Sequence, residues 1–270
     1  MENLPFEIIA TSKTFRFLVG LNKKEFILHA ALVAHLSKPL ATLVNGQMKE
    51  AREGYAEVPE FDEGTFALFC QFAYTGDYKV PLPLPRSITP NSTPAPIPGT
   101  KAQPRTANRY AGTPIISLDS SRSCVLCENF RETTYTIPGP HPPPEGTLLT
   151  GPPKTMSEVF LSHARVYVLA DYYDIDRLKI RSLVKLHYSL ANFELKSETL
   201  DYIVVLTEYC FKNTVDKGNE KDQLRELVLR YVAWKVDKLW KSNAFHELLD
   251  GSAEVSKSVI GAMIGGKAPW

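Results

Sequence analysis

Phe66 to Tyr78, FALFCQFAYTGDY, is the stretch on which the fold of this chain turns. Asp62 stands just ahead of it, placed to cap a helix, and Phe66, Phe69, Cys70 and Ala73 then fall on one helical face. Thr75-Gly76-Asp77 stops that helix. Upstream, Phe15 to Val19 alternates like a strand, Gly20 to Lys23 supplies turn chemistry, and Glu25 to Leu28 alternates again, which predicts a hairpin. Two helices are expected next, His29 to Ser37 and Pro39 to Glu50, with Pro39 at an opening position where its missing N–H costs nothing. A short strand, Tyr55 to Val58, ends at Pro59.

Downstream the pattern breaks. Sixteen of the chain's 20 prolines lie between Pro81 and Pro153. Proline removes a backbone donor and restricts its predecessor, so neither helix nor central strand persists through that spacing. Too few apolar side chains remain there to offset the entropy of ordering. Residues 81–155 therefore read as mostly disordered, with a short structured patch expected near Ile115 to Tyr135. Helical spacing resumes from Ser157 to Ala170, if His163 is counted as buried. Asp171 to Asp174 interrupts it, and Ile175 to Leu190 continues. Three amphipathic helices are expected after that, at 198–212, 221–240 and 243–263; Leu224, Leu227, Val228, Tyr231 and Val232 form the stripe of the middle one. The fold class is α+β and helix-dominated: a small sheet capped by helices, then a helical tail.

Composition narrows the function. The 270 residues carry 31 basic and 30 acidic side chains, a net charge of +1, which gives no electrostatic reason to expect nucleic acid or an anionic membrane as partner. No apolar run approaches the roughly 18 residues of a membrane span. The first residues lack the basic and apolar stretches of a secretory signal. Four cysteines, Cys70, Cys124, Cys127 and Cys210, then read as reduced thiols, and the expected location is intracellular, cytoplasmic or nuclear.

The order of elements, with four motifs, resembles the BTB/POZ domain in the form common in fungi, with a long insertion inside the domain. Phe26 to Leu32, FILHAAL, is similar to the family's F-x-x-H-x-x-L step from strand into helix. Leu36 to Leu40 resembles its S-x-x-F/L step. Phe66 to Tyr78 resembles its F-x-Y-T-G-x-Y hallmark, and His163 to Tyr173, HARVYVLADYY, its A-x-V-Y-x-L-A-D-x-Y helix. The resemblance implies a discontinuous domain from residues 1–80 and 156–190, the insertion 81–155, and a helical extension 191–270. It implies a non-enzymatic interaction module that pairs with itself, through Phe15, Phe17, Ala30, Ala31, Val33 and Ala34. Relatives that dock on a cullin scaffold of ubiquitin ligases insert an apolar side chain and use a Glu at the position matched here by Met48 and Glu50. A Met anchor beside one charged contact is also an efficient hot spot physically. The charged pocket of transcription-repressor relatives is not matched, because Ser12 or Lys13 and Ala30 stand at its positions.

Other signals carry less. Cys124 and Cys127 have the spacing of half a zinc site, but no second CxxC exists, and His141 or His163 would complete it only by an unusual spacing. A zinc-binding protein is the reading from another class. Gly261 to Ala268 lacks the Ser or Thr of a phosphate-binding loop, His246-Glu247 lacks the second His of a zinc protease, and no G-x-S-x-G elbow occurs. No cofactor is expected. His29 reads as a satisfied core histidine. Thr89, Thr93 and Thr113, each before a proline, are candidate phosphorylation sites, and Pro140-His141-Pro142-Pro143 is a candidate polyproline ligand.

Overall fold

The computed structural model describes residues 4–81, Phe130, 155–218 and 220–265. β1 (Thr14–Val19) and β2 (Lys24–His29) pair antiparallel as the expected hairpin, and β3 (Tyr55–Val58) lies parallel on the other side of β1. The sheet order is therefore β2-β1-β3. Strand alternation sends Phe15, Phe17 and Val19 to one face, where all three are buried, while Thr14 and Arg16 meet solvent. The sheet's other face carries ion pairs between exposed side chains, Arg16 with Glu25 and Lys23 with Glu57. Such pairs add at most ~1 kcal/mol each.

Helices cover the buried face. α1 (Phe6–Thr11) precedes the hairpin and was not foreseen. α2 (Ala30–Leu36) follows β2 directly, and its first amides donate to the Lys13 carbonyl and to Ser12 Oγ. α3 (Lys38–Asn45) has Ser37 as its cap and Pro39 in its first turn. The single helix expected to Glu50 is two. At Gly46 the backbone turns extended while its N–H still donates to Thr42 O at 2.8 Å, and a Cβ there would stand 2.3 Å from that oxygen. The chain restarts as α4 (Lys49–Glu53). α5 (Glu63–Thr75) begins and ends as expected: Asp62 accepts from Thr65 N at 2.9 Å and from Thr65 Oγ1 at 2.6 Å, and Gly76, at φ +74°, closes the last turn.

Beyond residue 155 come α6 (Met156–Tyr172), opened by a Thr155–Glu158 capping box, and α7 (Asp176–Ala191). A 3₁₀ turn leads into α8 (Leu200–Asn213), then α9 (Gln223–Leu239), α10 (Asn243–Gly251) and α11 (Ala253–Gly265). The single helix expected over 243–263 is broken at Ser252, which adopts extended backbone and accepts from Val255 N with its hydroxyl.

Two cores result, and α6 belongs to both. Val159, Val166, Leu169 and Ala170 pack with the sheet, α2, α3 and α5; Phe160, Ala164 and Tyr167 pack with α7, α8 and α9. α7 also divides, Leu178 to the first core and Leu183, Leu186 and Leu190 to the second. The division between the two cores thus runs through α6 and α7. The stretch expected to be disordered lies outside the described residues except at its two ends, Pro81 and Thr155, and at Phe130, which falls inside the patch expected at 115–135 and is fully buried in the second core.

Polar contacts join the parts. The Tyr78 hydroxyl lies 2.9 Å from His163 Nδ1, and both residues are fully buried. Next to it, Asp77 pairs with Lys185 at 3.3 Å and Arg181 at 3.9 Å. Replacing His163 with Ala removes a buried ring and the Tyr78 contact together. The expected loss is about 2–4 kcal/mol, read as a lower urea midpoint with an unchanged slope.

Candidate functional site

Chemistry-bearing groups are spread through the described residues rather than gathered around one centre, and no three His, Cys, Asp or Glu side chains among them converge as metal ligands. Cys124, Cys127 and His141 lie outside the described residues, as do Thr89, Thr93, Thr113 and Pro140 to Pro143. His163 is engaged with Tyr78. His29 is half-buried, its Nδ1 2.9 Å from the Tyr74 hydroxyl. No described helix is long and apolar enough to cross a membrane.

Three surfaces remain. The first follows the Gly46 turn. Met48 is 64% exposed at the start of α4, and Glu50, half-buried, sits in the first turn of the same helix. The turn that splits α3 from α4 is what lifts the thioether clear of the core. Lys49 and Glu53 form an exposed pair alongside.

The second surface is at the hairpin end. Of the six residues expected to meet a second copy, Phe15, Phe17, Ala30 and Val33 are enclosed in this chain's own core, and their side chains offer no area to a partner. Ala31 and Ala34 are half-buried on α2. Besides Leu21 and Ile27 of the hairpin, exposed apolar groups are supplied by α1, which packs on α2: Phe6 is 78% and Ile8 50% exposed, while Ile9 turns inward. Sequence reasoning missed them. Pro5 ahead of Phe6-Glu7-Ile8-Ile9 was the available signal, since the Pro5 carbonyl accepts from both Ile8 and Ile9 N.

The third is an aromatic cleft between α7 and α9. Phe130 stands edge-on to His187 (4.7 Å between ring centres) and Tyr231 (5.2 Å), and stacks on Trp234 (5.5 Å). His187 also hydrogen-bonds the Phe130 backbone. Burial pushes the His187 pKa down, with the Arg230 charge adding to it and the Phe130 bond opposing it. A neutral His in the fold and a more basic one in the unfolded chain make stability fall as pH drops below about 6.5. His187→Gln should flatten the dependence of the urea midpoint between about pH 7 and 5 relative to the parent chain.

The helical extension is pinned by Arg225, a buried cation. Its guanidinium reaches Thr214 Oγ1 at 3.0 Å, the Phe211 carbonyl at 2.9 Å, the Thr214 carbonyl, and Glu254 at 2.5 Å. Tyr167, from the shared helix α6, donates to Asp222 at 2.9 Å. These contacts hold α6, α8, α9 and α11 in fixed relation.

Desolvation works against thiolate formation at both described thiols, Cys210 buried and Cys70 half-buried. Desolvation raises Cys70 to about 12 and pushes Cys210, fully buried, above the ordinary thiol range. At pH 7.5 Cys70 is then a thiolate in fewer than about one molecule in 10⁴. Alkylation of the native chain with iodoacetamide at that pH, mapped by mass spectrometry, should leave Cys70 and Cys210 unmodified until denaturant is added.

No protein-family model matches the chain, and no curated protein matches it.

Proposed function

We propose that this chain is a non-enzymatic protein–protein interaction module of the BTB/POZ type, acting as a self-associating scaffold or adaptor inside the cell. The observation that supports it best is the union across the insertion: Tyr78, which ends the FALFCQFAYTGDY stretch, meets His163, which opens the HARVYVLADYY stretch, inside one core. Two motifs picked out for the same family resemblance are structural partners of each other. The hairpin, the short strand β3, the helix α5 and two further helices follow in the order that reading expects, with three helices, α2 to α4, standing where it expects two.

Self-association would use the α1–α2 end, where Phe6 and Ile8 lie beside half-buried Ala31 and Ala34. Isologous dimers are the commonest symmetric assemblies, and such a face needs self-complementary apolar groups. Sedimentation equilibrium at micromolar concentration should give a dimer, and the double substitution Phe6→Glu, Ile8→Glu should give a folded monomer. A parent chain that sediments as a strict monomer overturns self-association.

The exposure of Met48 favours a narrower reading, docking on a cullin scaffold. A protruding thioether next to a first-turn carboxylate suits an apolar pocket with one hydrogen-bonding contact at its edge. A pull-down with a cullin N-terminal domain should retain the parent chain and lose Met48→Ala by at least about tenfold in affinity, with a smaller loss for Glu50→Ala. No retention of the parent chain ends that reading and leaves the scaffold reading standing.

A further inference from the structure

α4 has no buried residue, and its five residues are too few for a helix to persist on propensity alone. Its ends hold it instead. Gly46 stops α3 where any Cβ would strike the Thr42 carbonyl. Gly54, at φ +73°, closes the last turn of α4 by donating its N–H to the Glu50 carbonyl at 2.8 Å. The Gly54 carbonyl in turn accepts from Arg16 N of β1 at 3.0 Å. A short helix fixed to the sheet through its backbone is a stiff mount for outward side chains, and stiffness lowers the ordering cost when a partner binds.

The charges on this mount are unevenly matched. Lys49 and Glu53 answer each other at 3.8 Å. Among the described residues neither Glu50 nor Arg52 is in an ion pair. The Arg52 amide donates to the Met48 carbonyl at 3.3 Å, so the exposed arginine stands one turn from the exposed thioether. Arginine is enriched in interface hot spots, and a charge at the edge of an apolar anchor governs approach and choice of partner. The surface complementary to this pair is an apolar pocket for Met48 with a carboxylate at its edge.

We propose that Arg52 is a specificity-determining residue of the Met48 docking face, and that this face takes a partner whose apolar pocket has an acidic rim. The proposal rests on the docking reading of Met48 and adds to it the sign of the partner's charge. Met48 anchors, and Arg52 steers and selects.

The test measures the affinity of the full chain for a cullin N-terminal domain at about 50 mM and about 500 mM sodium chloride, which give weak and strong screening. Arg52→Glu should weaken binding about tenfold at the lower salt and less than about threefold at the higher, while Arg52→Lys stays within about threefold of the parent. Met48→Ala should lose at least about tenfold at both. Lys212→Glu, the same change of charge at an exposed position of α8, should leave binding unchanged. Parent-like binding by Arg52→Glu at the lower salt, with Met48→Ala still impaired, overturns the proposal and leaves the docking reading intact. An equal loss from Lys212→Glu also overturns it, because the effect is then one of overall charge. No binding by the parent chain ends the docking reading and this proposal with it.

Discussion

The contact that everything else requires is the burial of α6 against both bodies at once, closed by Tyr78 and His163. The chain leaves the first core after Val80 and must return at Thr155 to complete it. Even a wholly unconstrained connection of on the order of 70 residues costs only about 4 kcal/mol to close, because the cost grows with the logarithm of length. Val159, Val166 and Leu169 each regain roughly 1.5–3 kcal/mol when buried in the first core. One face of one helix is enough to outweigh the insertion. That arithmetic explains how a domain tolerates so long an interruption.

Polar groups then decide how α6 sits. An apolar helix face can slide along its partner at little cost, whereas a buried hydroxyl and imidazole must meet or lose their hydrogen bond. Tyr78 and His163 fix the position of α6 along the end of α5. Asp77, with Lys185 and Arg181, fixes α7 beside it. Arg225 does the same within the extension, with Thr214, Phe211 and Glu254 around it. Replacing such groups by well-packed apolar residues can leave stability unchanged. Their effect here is to select one arrangement of helices.

Local chemistry was legible in the sequence, and long-range pairing was not. The hairpin, the Asp62 cap and the Gly76 stop depend on neighbours a few residues away, and the pattern displayed them. The break at Gly46 was hidden because good helix formers follow it; only the backbone path reveals that a Cβ would strike Thr42 O. Ser252 hid a second break in the same way. Phe130 was legible only as part of an expected patch, since its partners His187, Tyr231 and Trp234 are far along the chain. The six residues expected at a self-association face show a further limit. Apolar pattern says that a side chain is buried, without saying in which molecule. Phe15, Phe17, Ala30 and Val33 are consumed by this chain's own core.

The exposed apolar groups are therefore more informative than the buried ones. Isolated surface hydrophobes are normal on a folded protein, so the relevant question is which of them the fold itself pushes outward. Met48 protrudes because Gly46 ends α3 early. Phe6 and Ile8 protrude because α1 docks on α2 with Ile9 turned inward. In both places the core would be equally well filled by a polar residue at the exposed position, so packing does not account for the apolar choice. The aromatic cleft is the converse case. Phe130, from a stretch of sequence otherwise unsuited to building a core, is enclosed by His187 of α7 and by Tyr231 and Trp234 of α9.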